Sequence, residues 1–349
     1  MNNKRLLAIL LFLVVITLQR PVYTQENQKK ITVVCSLEVL AGIAQRIGGG
    51  YVEVDFIVPE GVDPHDYSLT PGDIEKASRA DIIVLANSKF LSLEADLKET
   101  ILELNASKIF LDFGDYGKYG VTILSVPGIE KNYHGYWLYP DNAVAIAKAI
   151  KDSLVAVSPS LADFFDRNLN EFIREIDVMK SKMIETAQEL GLIHRGALLA
   201  VPATGYIAYS FGMIPKALIL KAPGSYASSQ EIMDIEEKIE NGEIVLALCP
   251  DSLRDAKPGQ LLEEIRSRTG VPIAYVRVFA LGGLKDYLGL LAYNLGVIRT
   301  VEVGTDRNHS SEELCLYLGL VMIFTVIISV VEAFVIFRMR KLAEEALYE

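Results

Sequence analysis

Few residues in this chain have the chemistry to hold a ligand or to react. Four histidines are present, His65, His134, His194 and His309, and three cysteines, Cys35, Cys249 and Cys315. His65 stands in the stretch GVDPHDY that runs from Gly61 to Tyr67. Pro64 stiffens the backbone just ahead of the imidazole, which suits a preorganised metal ligand. A histidine that is merely solvated in a polar loop is the other reading of the same residues. His134 lies in YHGYWLYPDN, from Tyr133 to Asn142, beside the single tryptophan. It is either a second ligand or a packed, hydrogen-bonded side chain. Nucleophile elbows, His-Glu-X-X-His pairs and phosphate loops are missing, and Gly48 to Gly50 falls at a helix end rather than at a strand-to-helix turn. The chain is therefore read as a binder and not an enzyme. The formal charge of −11 lacks the basic face that a nucleic-acid partner requires.

The elements that must position these residues follow an alternating pattern. Short β-branched runs at Ile31 to Cys35, Tyr51 to Val58, Asp81 to Ala86 and Lys108 to Asp112 are each followed by a polar or amphipathic stretch. The rhythm restarts with strand candidates at Ala197 to Val201, Lys216 to Leu220, Ile244 to Leu248 and Ile273 to Phe279. Between the two series, Leu161, Phe164, Phe165, Leu169, Phe172, Ile176, Met179 and Met183 recur at helical spacing. A helix over 161–190 would be roughly 45 Å long at 1.5 Å per residue. The fold class predicted is α/β, two lobes with mostly parallel sheets joined by one long connecting helix, plus a C-terminal transmembrane helix. Ligands of such sheets sit beyond the strands' carboxyl ends, so two lobes would share a cleft built from their βα loops. Tyr67, Tyr133, Tyr136, Trp137, Tyr139 and Tyr206 would either line that cleft or simply pack. His194 precedes a strand at its amino end and points away from the cleft.

Both ends are apolar. Lys4 and Arg5 precede the run Leu6 to Leu18, the pattern of a secretion signal over 1–24, and no cysteine near its end offers a lipid attachment point. Leu314 to Phe337 is long enough to span a bilayer. Asp306, Glu312 and Glu313 precede it and Arg338, Arg340 and Lys341 follow, which places the tail in the cytoplasm and everything upstream outside the cell. Glu332 lies inside the span, Cys315 belongs to it, and His309 falls in the stem before it. The expected division is signal 1–24, first lobe 25–157, connecting helix 158–190, second lobe 191–305, stem 306–313, span 314–337 and tail 338–349. Sequons at Asn105 and Asn308 are compatible with an exported chain.

Taken in order, Val33-Val-Cys-Ser36, Gly48-Gly49, Asp63-Pro-His65, Thr70-Pro-Gly-Asp73, Trp137-Leu138 and Gly205-Tyr206 resemble the zinc- and manganese-binding solute-binding proteins of ABC importers. The resemblance covers nearly the whole ectodomain. It implies capture of a transition-metal ion, zinc first and manganese next, and delivery to an ABC permease driven by a cytoplasmic ATPase. It also implies a site of three imidazoles and a carboxylate, with a water in place of one donor in some members. His65 matches the first imidazole. His134 matches the second with a shift, because Gly135 occupies the family's histidine slot. Val201 stands where the third imidazole is expected, and the carboxylate position falls at about Phe279. Cys249 and Asp251, just beyond the strand at Ile244 to Leu248, are the candidates to complete the set. A small buried hydrophobe and a turn residue, respectively, are their alternative roles. The missing donors leave a second reading: a solute-binding scaffold that has lost metal binding and serves as a receptor, adhesin or subunit for another ligand.

Overall fold

The computed structural model describes residues 29–279 and 286–302. The expected signal segment, the stem with His309 and Asn308, the span 314–337 and the tail lie outside the described residues. Among the described residues no helix is long and apolar enough to cross a membrane.

The chain divides into two compact units. The first takes residues up to Val121, Ala143–Arg174 and Phe279–Tyr287. Its sheet is wholly parallel, in the order β2-β1-β3-β4, with β1 at Ile31–Cys35, β2 at Val52–Phe56, β3 at Ile82–Val84 and β4 at Ile109–Leu111. Strand β1 lies centrally and is covered on both faces. Its run of Val33, Val34 and Cys35 is almost fully buried for that reason. Helices α1 (Glu38–Gly48), α2 (Pro71–Arg79), α3 (Ser92–Leu104) and the short α4 (Phe113–Tyr116) fill the crossovers and the loop after β4. Helix α5 spans Pro140–Val157.

The second unit repeats the plan. Its sheet is parallel in the order β10-β9-β5-β6, with β5 at Gly196–Leu199, β6 at Ile214–Leu218, β9 at Ile244–Pro250 and β10 at Ile273–Val276. Strands β7 (Leu220–Ala222) and β8 (Ser225–Tyr226) form a small antiparallel hairpin that the hydrophobic pattern does not announce. Helices α7 (Thr204–Ser210), α8 (Ser229–Glu240), α9 (Lys257–Thr269) and α10 (Tyr287–Arg299) belong mainly to this unit, as does the segment Thr122–Asn142.

The long helix is present as α6, Ala162–Glu189, entered through a turn of 3₁₀ helix at Pro159–Leu161. Its residues up to Arg174 belong to the first unit and those from Glu175 to the second. Phe165, Phe172, Ile176 and Met183 are its most deeply buried side chains, as the helical spacing predicts.

Candidate functional site

His65 sits in the loop between β2 and α2, at the carboxyl edge of the first sheet. The loop is built from local hydrogen bonds. Gly61 turns the backbone at φ 75°, and the Asp63 carboxylate accepts the His65 backbone N–H at 2.9 Å, an Asx turn closed over Pro64. The loop's far end is tied to α2. Thr70 caps that helix, and Asp73 accepts from the Thr70 backbone (2.8 Å), the Thr70 hydroxyl (2.7 Å) and the Tyr67 hydroxyl (2.8 Å). Burial pushes the Asp73 carboxyl up, but these donors outweigh it and hold the group below its usual range. The exposed His65 imidazole packs edge-on against Phe90, 5.7 Å between centroids. Beside it opens a surface cavity of about 480 Å³ that also includes Asp66, Ser92 and Asp96.

Phe90 belongs to the β3–α3 loop, and that loop is organised by a residue the sequence reading passed over. Glu94 is fully buried, and its carboxylate accepts the backbone N–H groups of Ala86 (2.7 Å) and Asn87 (2.6 Å) and bonds to the Ser36 side chain. Burial, with the nearby Asp112 carboxylate adding to it, raises its pKa to about 7 against the hydrogen bonds that lower it.

His134 is half-buried and lies in the segment that packs with the second unit. Its backbone N–H donates to Asn132 Oδ1 at 3.1 Å, again an Asx turn two residues ahead of an imidazole. The sequence does carry this signal, as an Asp or Asn two positions before each candidate histidine. Gly135 follows at φ 72°, where a Cβ would meet that of Ala203 at 2.8 Å. The glycine that displaces the family's histidine slot is thus demanded by both the backbone conformation and the close approach. Asn142 closes the segment: its side chain bonds to the Thr122 N–H (2.7 Å), the Thr122 carbonyl (2.9 Å) and the Tyr136 carbonyl (2.8 Å).

Cys249, in β9, is a fully buried member of the apolar cluster that contains Leu198, Ile219 and Leu262. Burial pushes its thiol up to about 12, which opposes the thiolate that a metal needs. Asp251 follows the same strand and pairs with Arg277, Nε to Oδ2, at 2.9 Å; the Arg277 guanidinium also lies over the Tyr293 ring. Val201 packs against the apolar cluster, and Phe279 lies beside Leu37 and Val58. Among the described residues, no three His, Cys, Asp or Glu side chains gather closely enough to hold a metal ion.

The geometry invites comparison with known proteins. The family described as zinc-uptake complex component A, periplasmic (ZnuA), matches residues 33–301. The metal ABC transporter substrate-binding lipoprotein FimA of Streptococcus parasanguinis is 26% identical over 281 residues, covering 77% of this chain and 88% of that protein. The manganese ABC transporter substrate-binding lipoprotein PsaA of Streptococcus anginosus is 27% identical over 285 residues, with the same coverage. The solved structure of the periplasmic zinc-binding protein TroA from Treponema pallidum has the same fold, at a TM-score of 0.62 and 23% identity over 77% of this chain and 98% of that one. With a family match over well more than half of its length, and two parallel-sheet units sharing one long helix, the chain belongs to the ZnuA family of zinc-uptake solute-binding components.

Proposed function

We propose that this chain is the extracytoplasmic solute-binding component of an ABC importer and that its cargo is a transition-metal ion. Binding is its whole activity, and an ABC permease with its cytoplasmic ATPase receives the ion. The observation that carries the reading is the match of the zinc-uptake family over residues 33–301, a stretch that includes two imidazoles held by similar local turns. His65 and His134 each stand at the exit of an Asx turn, in loops whose backbones are fixed by buried or half-buried polar side chains. Imidazole donors favour zinc, and a carboxylate-rich set would favour manganese, so zinc comes first and manganese next. Asp251 is the candidate carboxylate for the set and would have to exchange Arg277 for the ion. Cys249 would have to leave an apolar cluster and lose its proton to do the same, which makes it the weaker of the two. Leu314 to Phe337 anchors the chain by one span, with the two units outside the cell and the short tail inside.

The test is equilibrium binding of zinc, manganese and copper(I) to the chelator-stripped full chain in detergent. We expect one-to-one binding of zinc, weakened by His65→Ala by more than about a hundredfold, since zinc needs about four close donors and a site that loses an imidazole binds weakly. Unchanged affinity in that variant removes His65 from the site. A second reading has its own support in Val201 and Phe279, which stand where family donors are expected: the scaffold keeps its fold and has changed its cargo. Failure of the wild-type chain to bind any of the three ions would favour it.

A further inference from the structure

Asp63 and Asn132 make the same turn ahead of the two candidate imidazoles, but their surroundings differ. Asp63 is exposed, whereas Asn132 is fully buried and engaged on every side. Its backbone N–H donates to the Leu124 carbonyl at 3.0 Å, its Nδ2 to the Pro202 carbonyl at 2.8 Å, and its Oδ1 accepts the His134 N–H at 3.1 Å. Its own carbonyl accepts the hydroxyl of Tyr206, which in turn accepts the Leu124 N–H at 3.2 Å. Tyr206 is also fully buried. Breaking any member of such a network strands a buried polar group, at a cost of about 1–3 kcal/mol. The Pro202–Tyr206 turn that receives these bonds follows directly on Val201, the position without its expected imidazole. Two glycines let the layers meet: Gly135 lies against Ala203, and a Cβ on Gly205 would fall 2.5 Å from Val126 Cγ1.

We infer that Asn132, backed by Tyr206, is the positioning residue for His134, fixing the direction in which the backbone of the second unit presents that imidazole to the metal. The inference rests on the metal-binding reading above. Asn132 touches no ion itself; it acts through the turn. It accounts for the shifted register, because a buried clamp two residues upstream and a left-handed glycine one residue downstream together set where the histidine emerges.

The experiment is a double-mutant cycle on zinc affinity, using the full chain in detergent and zinc as the only metal, read by competition with a chelator. Asn132→Ala should weaken zinc by about ten- to a hundredfold, the usual effect of removing a residue that orients a ligand. In the His134→Ala background the same substitution should change affinity by less than about twofold, because it acts only through the missing imidazole. X-ray absorption of the zinc-loaded protein should show one imidazole fewer in Asn132→Ala. Tyr206→Phe removes a single hydroxyl and keeps the ring, so it carries the same cycle if Asn132→Ala does not fold. A penalty that persists undiminished in the His134→Ala background, or an unchanged imidazole count, overturns the inference while leaving the metal site standing. A His134→Ala variant that binds zinc as the wild type does, or a wild type that binds none, overturns the reading beneath it.

Discussion

Glu94 shows how much a single side chain can ask of its surroundings. A carboxylate with no exposed surface is costly, yet here two backbone N–H groups and Ser36 are aimed at it. Burial still dominates, raising its pKa from 4.5 to about 7. Because the folded-state value is the higher one, the native state holds this proton more tightly than the unfolded chain. The stability it contributes is complete below about pH 4.5 and is lost as pH rises through about 7. The difference amounts to roughly 3 kcal/mol. We therefore expect the denaturant midpoint of the wild type to fall between about pH 5 and pH 8, and Glu94→Gln to flatten that dependence. The variant should also be less stable at both values, since an amide oxygen accepts from one side while its nitrogen faces an N–H it cannot bond. An equal pH slope in the two proteins would remove Glu94 from the titration. At this scale the sequence was legible in part. The two histidines and the Asp or Asn two positions before each can be read directly. Glu94 cannot, because an acidic residue on an amphipathic helix looks solvated until the loop that folds over it is known.

Among the elements, α2 does more than cover the sheet. Its capping box, Thr70 with Asp73, also holds Tyr67 and so anchors the loop bearing His65. Helix α8 carries an equivalent box, Ser228 with Glu231, whose extra partner is Lys221 instead of a loop tyrosine. The pair makes a controlled comparison. Asp73→Ala and Ser228→Ala should each cost about 1 kcal/mol in stability, measured by thermal unfolding. Only Asp73→Ala should also weaken zinc binding, by about tenfold, because it frees the loop. The Asp73 contribution should fade in acid: its carboxyl lies below the usual range when folded, so its stabilisation is present above the unfolded value and disappears as pH falls through the folded one. Equal zinc affinity in both variants would mean that the loop holds its shape without the tie. Element types were mostly readable because the patterns are long or regular. The eight strands of the two parallel sheets fall within a few residues of the β-branched runs, and α6 occupies all but the ends of the predicted 161–190. The segment 122–142 and the β7–β8 hairpin were not readable, since their order comes from Asn132, Asn142 and a glycine turn and not from any apolar period.

The whole molecule poses a question of attachment. The curated relatives are named lipoproteins, whereas this sequence has no cysteine at the end of its first apolar run and has a second apolar stretch after the family match ends. The apolar run 314–337 has about the number of residues that a hydrocarbon core of about 30 Å demands of a spanning segment. Sixteen of them are Leu, Ile, Phe or Val. At about 0.3–0.6 kcal/mol each, these favour insertion by roughly 5–10 kcal/mol, which exceeds the roughly 3 kcal/mol that a charged residue costs even at mid-bilayer. Glu332 is only five residues from the end of the run, where that cost is smaller. A span is therefore expected to insert despite the acid. The full chain should stay with the membrane fraction through high-salt and alkaline washes, and a chain ending at Asp306 should be released in soluble form with zinc affinity unchanged. Release of the full chain by salt alone would mean that only surface charge holds it, and would leave the arginines and lysine at 338–341 without the topological role assigned to them.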